Sequence, residues 1–365
     1  MTAVLRFTVR DHPTLVGDLL VSGPAGTTRA PVLPTVKDAH AHITPASKYA
    51  PASVRQKIAL LGDNLVIGWS GGLSNARTVI DEIRQKHFKT PFTMDALDIH
   101  LNGVSPAVWS NLGLLGFLRD SNGIAQFQRN AKEAYTPHFG TVGLLGSGRA
   151  DLERYVTGEM QIPRSLDREM NELDESLGFA LELTGVSIGL EQLTGEQLTK
   201  HYGAGYEIAS LMGGKFEKMG DVTYIYWQCL AHDGNPRVNK QPLRVYRYAY
   251  IDDMLVIRAF SFNPSEPNRD QLHFVCPVYR DPTPEEKSWV ANPATAPAPP
   301  LNATWLCNYI LTAFPDGKMG VLTLVCMKAP DEDKWVKITE TPVGGDDFYV
   351  EVQVHGDFLD LSGPT

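Results

Sequence analysis

Lys57–Ile83 reads KIALLGDNLVIGWSGGLSNARTVIDEI, and its hydrophobic period changes halfway along. KIALLG and LVIGWS are short apolar runs separated by Asp63-Asn64, a pattern that predicts two strands and a tight turn. Beyond Gly71-Gly72 the period switches. Ala76, Val79, Ile80, Ile83 and His87 recur at the i, i+3, i+4, i+7 spacing of a helix with one apolar face. Ser74 is the expected N-cap, because its hydroxyl can accept a hydrogen bond from an otherwise orphaned amide.

Working outward, the chain opens MTAVLRFTVRDHPTLVGDLLVSG, two strand-like runs around a DHP break. The Pro-, Ala- and Thr-rich stretch that follows, up to Ser53, has little periodicity and predicts irregular structure. Downstream, GFLRDSNGIAQFQ predicts a hairpin turning at SNG, and TVGLLGSGRADLERYV a strand, a glycine-rich turn and a helix. Further helices are expected over 166–184 and 194–211. From Val222 the reading is mostly β: VTYIYWQCL, a hairpin in RVYRYAYIDDMLVIRAFSF, a Pro- and Ala-rich linker or long surface loop at 281–302, and four closing strands. Antiparallel runs alternating with helical runs point to an α+β class of stacked layers.

The 365 residues suffice for one large domain or two ordinary ones, and 43% hydrophobic with 21% charged residues fits a globular chain. A net charge of −9 disfavours nucleic acid and anionic membranes as partners, since phosphates are repelled on average. No apolar run reaches the roughly 20 residues of a membrane span, and no basic-then-apolar leader precedes the first strand, so a cytoplasmic location is expected. Cys229, Cys276, Cys307 and Cys326 have neither zinc-site nor disulfide-framework spacing and read as reduced core residues.

In this order, the elements resemble the β-subunits of the proteasome and their simpler bacterial relatives, which are N-terminal-nucleophile hydrolases. Thr2 ahead of the first strand is similar to the family's mature N-terminus, and Asp18 in LVGDLLVSG to the Asp of its second strand. Lys57–Ile83 and GLLGSGRADLERYV resemble later family elements. The resemblance implies a four-layer αββα sandwich over residues 1–265, with 266–365 as a β-rich extension of unknown role. It also implies a threonine-type peptidase or amidohydrolase that assembles with itself, as a ring in the family, and acts on a peptide or small amide. No cofactor and no metal are expected. The sequence departs from the family in two places. The loop between Asp18 and Lys57 is long, and in YEIASLMGGKF Ala209 and Met212 stand where the family carries Asp and Ser ahead of Gly213-Gly214. Those losses keep open a catalytically inactive, ring-forming scaffold.

The implied chemistry is self-contained. A terminal amine, with a pKa of roughly 8, can take the hydroxyl proton of its own Thr2. Lys57, held by Asp18, favours the neutral amine. The amides at Gly71 and Gly72 are candidates for an oxyanion site, and Ser147 for orienting the amine. Each residue has a plainer role: Thr2 an ordinary second residue, Asp18 and Lys57 solvated, Gly71-Gly72 a tight turn, Ser147 a helix cap. Lys37 competes with Lys57.

Two other chemistries fit worse. Asp38, His40 and His42 in KDAHAHIT have the i, i+2 spacing of a strand-borne metal pair, yet the chain lacks the repeating βα units of a metal-dependent barrel. GLLGSGRAD could cradle a phosphate but lacks the Lys-Ser/Thr of a nucleotide loop.

Overall fold

The computed structural model describes residues 2–25, 31–36, 48–159, 172–232, 235–263, 265–266, 269–313, 319–328, 336–344 and 347–354. Met1, Lys37, Asp38, His40 and His42 lie outside the described residues, so the DAHAH reading and the competitor to Lys57 lie there too.

The chain runs β1 (Val4–Val9), β2 (His12–Asp18), β3 (Leu20–Pro24), β4 (Tyr49–Val54), β5 (Ile58–Leu60), β6 (Leu65–Gly71) and α1 (Leu73–Lys89). Next come α2 (Met94–Asn102), α3 (Pro106–Trp109), β7 (Leu112–Asp120), β8 (Gly123–Arg129), β9 (Lys132–Thr136), β10 (Gly140–Leu145) and α4 (Arg149–Arg154). Then follow α5 (Glu172–Thr194), α6 (Glu196–Thr199), β11 (Tyr206–Met212), β12 (Lys215–Lys218), β13 (Val222–His232) and β14 (Asn235–Val238). The last third holds β15 (Arg244–Ile251), β16 (Met254–Ser261), β17 (Asp270–Val275), α7 (Pro284–Ala291), β18 (Trp305–Ala313), β19 (Met319–Lys328), β20 (Val336–Gly344) and β21 (Asp347–Val354).

Two compact units share these elements. The first comprises Met1–Thr184, Gly195–Met219 and Cys276–Asp281, the second Gly185–Thr194, Gly220–Val275 and Pro282–Thr365. In the first, a six-stranded sheet has the order β12-β11-β2-β1-β10-β9 and a four-stranded sheet the order β5-β6-β7-β8. The β1–β2 hairpin turns at Arg10-Asp11, both with positive φ, and pairs Val9 with His12. Val4, Leu15, Ile58, Val66, Leu115, Phe117 and Ala209 form a core fed by both sheets. A second core joins the four-stranded sheet to α1 and α2 through Trp69, Val79, Ile80, Ile83, Leu97 and Leu101. In the second unit the strand order is β17-β16-β15-β13-β18-β19, with β14 on β13 and one parallel pair, β13 with β18. Its core gathers Ile225, Trp227, Val245, Leu306, Ile310 and Ile338.

The expected four-layer αββα sandwich is overturned. Among the described residues the chain is mostly β, 45% strand and 26% helix, with its strands divided among several separate and mainly antiparallel sheets. The helical content falls short for a physical reason. The run 194–211, expected to be helical, holds only the one-turn α6 before it extends into β11, which pairs with both β2 and β12. The second unit then adds strands with a core of their own rather than a helical layer.

Candidate active site

Thr2 lies just ahead of β1 and is fully buried. Its N–H donates to Ser147 Oγ at 3.3 Å, and its carbonyl accepts the Gly148 N–H at 3.0 Å. Its hydroxyl is different: Oγ1 is buried with no hydrogen-bond partner among the described residues. A buried, unpartnered hydroxyl forfeits the bonds it would make in water, so it calls for an explanation.

Ser147 reaches Thr2 because the glycine before it brings two backbones together. Gly146 has φ +85°, and a Cβ there would sit 1.9 Å from the Thr2 carbonyl oxygen. Ser147 does not cap the following helix; the N-cap of α4 is Gly148, without a side-chain bond. The Ser147 hydroxyl is therefore left for Thr2.

Asp18, at the end of β2, is fully buried and accepts two backbone N–H groups, Ala3 to Oδ1 at 3.0 Å and Gly203 to Oδ2 at 2.9 Å. Lys57 is equally buried, with Nζ 4.0 Å from the centre of the Trp69 ring, a cation–π contact. Burial pushes the Asp18 carboxyl up to about 6, against the attraction of Lys57 and the two backbone bonds. Burial also draws Lys57 down to about 8, against the attraction of Asp18 and Glu207. Each charge thus opposes the other's neutralisation, in a buried pair beside the end of β2.

Gly71 and Gly72 lie where β6 passes into α1. The Gly72 N–H is already committed to the Asn111 carbonyl at 2.8 Å, and a Cβ on Gly71 would lie 2.3 Å from that same oxygen. The pair thus serves the strand-to-helix turn, and the Gly72 amide is not free for an oxyanion. Ser74 does not cap α1 either; the N-cap is Gly72, without a side-chain bond.

Gly213 and Gly214 form the β11–β12 turn, both with positive φ. Ala209 packs in the apolar core between the sheets, opposite Lys218 in the β11–β12 ladder. The segment that does reach Asp18 is His201–Gly205, which sequence reasoning missed. Four of its five residues have positive φ: His201, Gly203, Ala204 and Gly205. Gly203 bonds Asp18, and the Gly203 and Gly205 carbonyls accept the Leu19 N–H at 3.1 Å each. The visible signal was the glycine pair in HYGAG, hidden by the helical reading of 194–211.

A second polar network, also missed, adjoins the Lys57 backbone. Glu207 Oε1 accepts the Ile58 N–H at 2.7 Å, and Oε2 accepts from Lys218 Nζ at 2.6 Å. Among the described residues no group of three or more His, Cys, Asp or Glu side chains could hold a metal ion. Among them, too, no helix is long and apolar enough to cross a membrane.

No known protein-family model and no curated protein matches this sequence.

Proposed function

We propose that the chain hydrolyses amide bonds in peptides or small amides with Thr2 as an N-terminal nucleophile. The observation that carries the reading is the buried Thr2 hydroxyl, without a partner among the described residues, at a strand end where Ser147 bonds the Thr2 nitrogen and Asp18 the Ala3 amide. The reading rests on this site and not on the overall architecture. It requires Met1 to be removed, because a peptide-bonded nitrogen cannot act as a base. The freed amine then takes the Oγ1 proton as Oγ1 attacks the substrate carbonyl carbon, and returns it to the departing nitrogen. Water hydrolyses the resulting ester by the same route. The Lys57 charge favours the neutral amine at pH 7, and Ser147 Oγ, now bonded to the Thr2 nitrogen, holds it in place.

A noncatalytic reading has one observation in its favour: the Gly72 amide, a candidate oxyanion donor, is engaged by Asn111. One experiment separates the two. Intact mass reports whether Thr2 is N-terminal, and an electrophilic threonine-directed probe with a peptide panel reports reactivity. Labelled wild type and inert Thr2→Ala of unchanged melting temperature are expected. Equal inertness of wild type with a free Thr2 and of Thr2→Ala would end the catalytic reading.

A further inference from the structure

β18 and β19 pair antiparallel with Cys307 directly opposite Cys326. Opposed residues in such a ladder have Cα atoms about 4.5 or 5.5 Å apart, depending on the pair type. Both separations fall inside the roughly 4.4–6.8 Å that a disulfide spans. Directly opposed residues of a ladder share one face of the sheet, and on that face Tyr309 Oη lies 3.1 Å from Cys326 Sγ. Both thiols are free. Cys229, by contrast, faces Val238 across its ladder.

Access differs between the two. Cys307 is fully buried, whereas Cys326 is half-buried on β19, the last strand in the order of its sheet. The Tyr309 ring stacks on Tyr226 at 5.4 Å and packs closely against Gly185 of α5, with its hydroxyl beside Cys326.

We propose that Cys307 and Cys326 form a thiol–disulfide redox site whose co-reactant is a low-molecular-weight disulfide of the glutathione class. Cys326 releases its proton to solvent and its sulfur attacks one sulfur of the oxidant. The oxidant's S–S bond breaks, and one small thiolate leaves and takes up a proton. Cys307 then releases its proton and attacks the Cys326 sulfur of the mixed disulfide, expelling the second small thiol. Two protein thiols are oxidised to one disulfide, and one small disulfide is reduced to two thiols. The order follows from access. Burial also keeps the Cys307 thiol protonated, which leaves the first attack to Cys326.

The test uses the full chain and glutathione disulfide, with an acid quench, alkylation after unfolding, and intact mass with peptide mapping. Wild type should lose the mass of two hydrogens, show a Cys307–Cys326 crosslink, leave Cys229 and Cys276 alkylated, and revert with reduced glutathione. Cys307→Ser should stop at a single glutathione adduct on Cys326. If that variant fails to fold, Cys307→Ala is read the same way, and the wild-type mass remains decisive. All four cysteines staying alkylatable at excess oxidant, or wild type holding a stable adduct on Cys326 without the internal bond, overturns the proposal.

Discussion

Lys57 and Asp18 are buried charges whose titration is coupled to folding in opposite senses. Lys57 has a folded value of about 8 against an ordinary 10.5. Below pH 8 both folded and unfolded chains hold its proton, and the folded chain bears the full cost of burial. Between pH 8 and 10.5 the unfolded chain holds the proton more often, so stability rises with pH. The Asp18 carboxyl, raised from 3.8 to about 6, acts the other way: the folded chain binds the extra proton between those values, and stability falls as pH rises through them. Replacing Lys57 with Met removes the alkaline term. The stability of wild type relative to Lys57→Met should therefore climb from pH 8 towards 10.5, by at most roughly 3 kcal/mol. Urea titrations of both proteins at several pH values measure it, and a flat difference would show that Lys57 keeps its ordinary value. Little of this was legible in the sequence. Asp18, Lys57 and Ser147 were identifiable as candidates, but the contact of Lys57 with Trp69 depends on the β5–β6 pairing, and that of Asp18 with Gly203 joins residues far apart in sequence.

The helix α5 shows how an element can invert an intrinsic propensity. Alanine is better than glycine in a helix interior by about 1 kcal/mol, yet a Cβ on Gly185 would lie 2.0 Å from Tyr309 Cζ. The Gly185 carbonyl also accepts the Tyr226 hydroxyl at 2.8 Å, which holds that turn against the tyrosines. Tyr226 and Tyr309 are fully buried and have nowhere to move. Gly185→Ala is therefore expected to destabilise by roughly 1–3 kcal/mol, the cost of overpacking a filled core. Gly158→Ala, where no atom of the described residues lies within 4 Å of the added carbon, should stay within about 0.5 kcal/mol of wild type in the same urea titration. Elements with one clear period were legible: α1 buries Ala76, Val79, Ile80, Ile83 and His87, the five residues its spacing named. β11 was not. Tyr206, Ile208 and Ala209 with a glutamate among them read equally well as an amphipathic helix. The Ile58 N–H and the Lys218 ammonium, both bonded to Glu207, allow that carboxylate inside a strand. Likewise, the Pro-rich run after Asp281 holds α7, started by a capping box between Thr283 and Glu286.

At the scale of the whole chain, each compact unit has apolar clusters of its own, and α5 contributes Glu172–Thr184 to one unit and Gly185–Thr194 to the other. Phe179 packs edge-on against Phe7 in the first unit, while Gly185 lies against Tyr309 in the second. The order of strands and helices could be read from local periods, but this division could not, because it depends on which distant strands pair. The parallel contact of β13 with β18 joins Val222 to Trp305, 83 residues further along the chain. If each unit opens around its own core, a core deletion should be felt unequally. Ile310, fully buried beside Trp227 in the second core, is the place to test this. Ile310→Ala should cost about 2–5 kcal/mol and speed amide exchange in β13, β15, β18 and the Gly185–Thr194 turns of α5. Exchange in β1, β2 and β10 should change far less. Hydrogen exchange read by mass spectrometry distinguishes the outcomes. Equal acceleration in both sets of strands would mean that the chain opens as one cooperative block, with α5 carrying the loss from one core to the other.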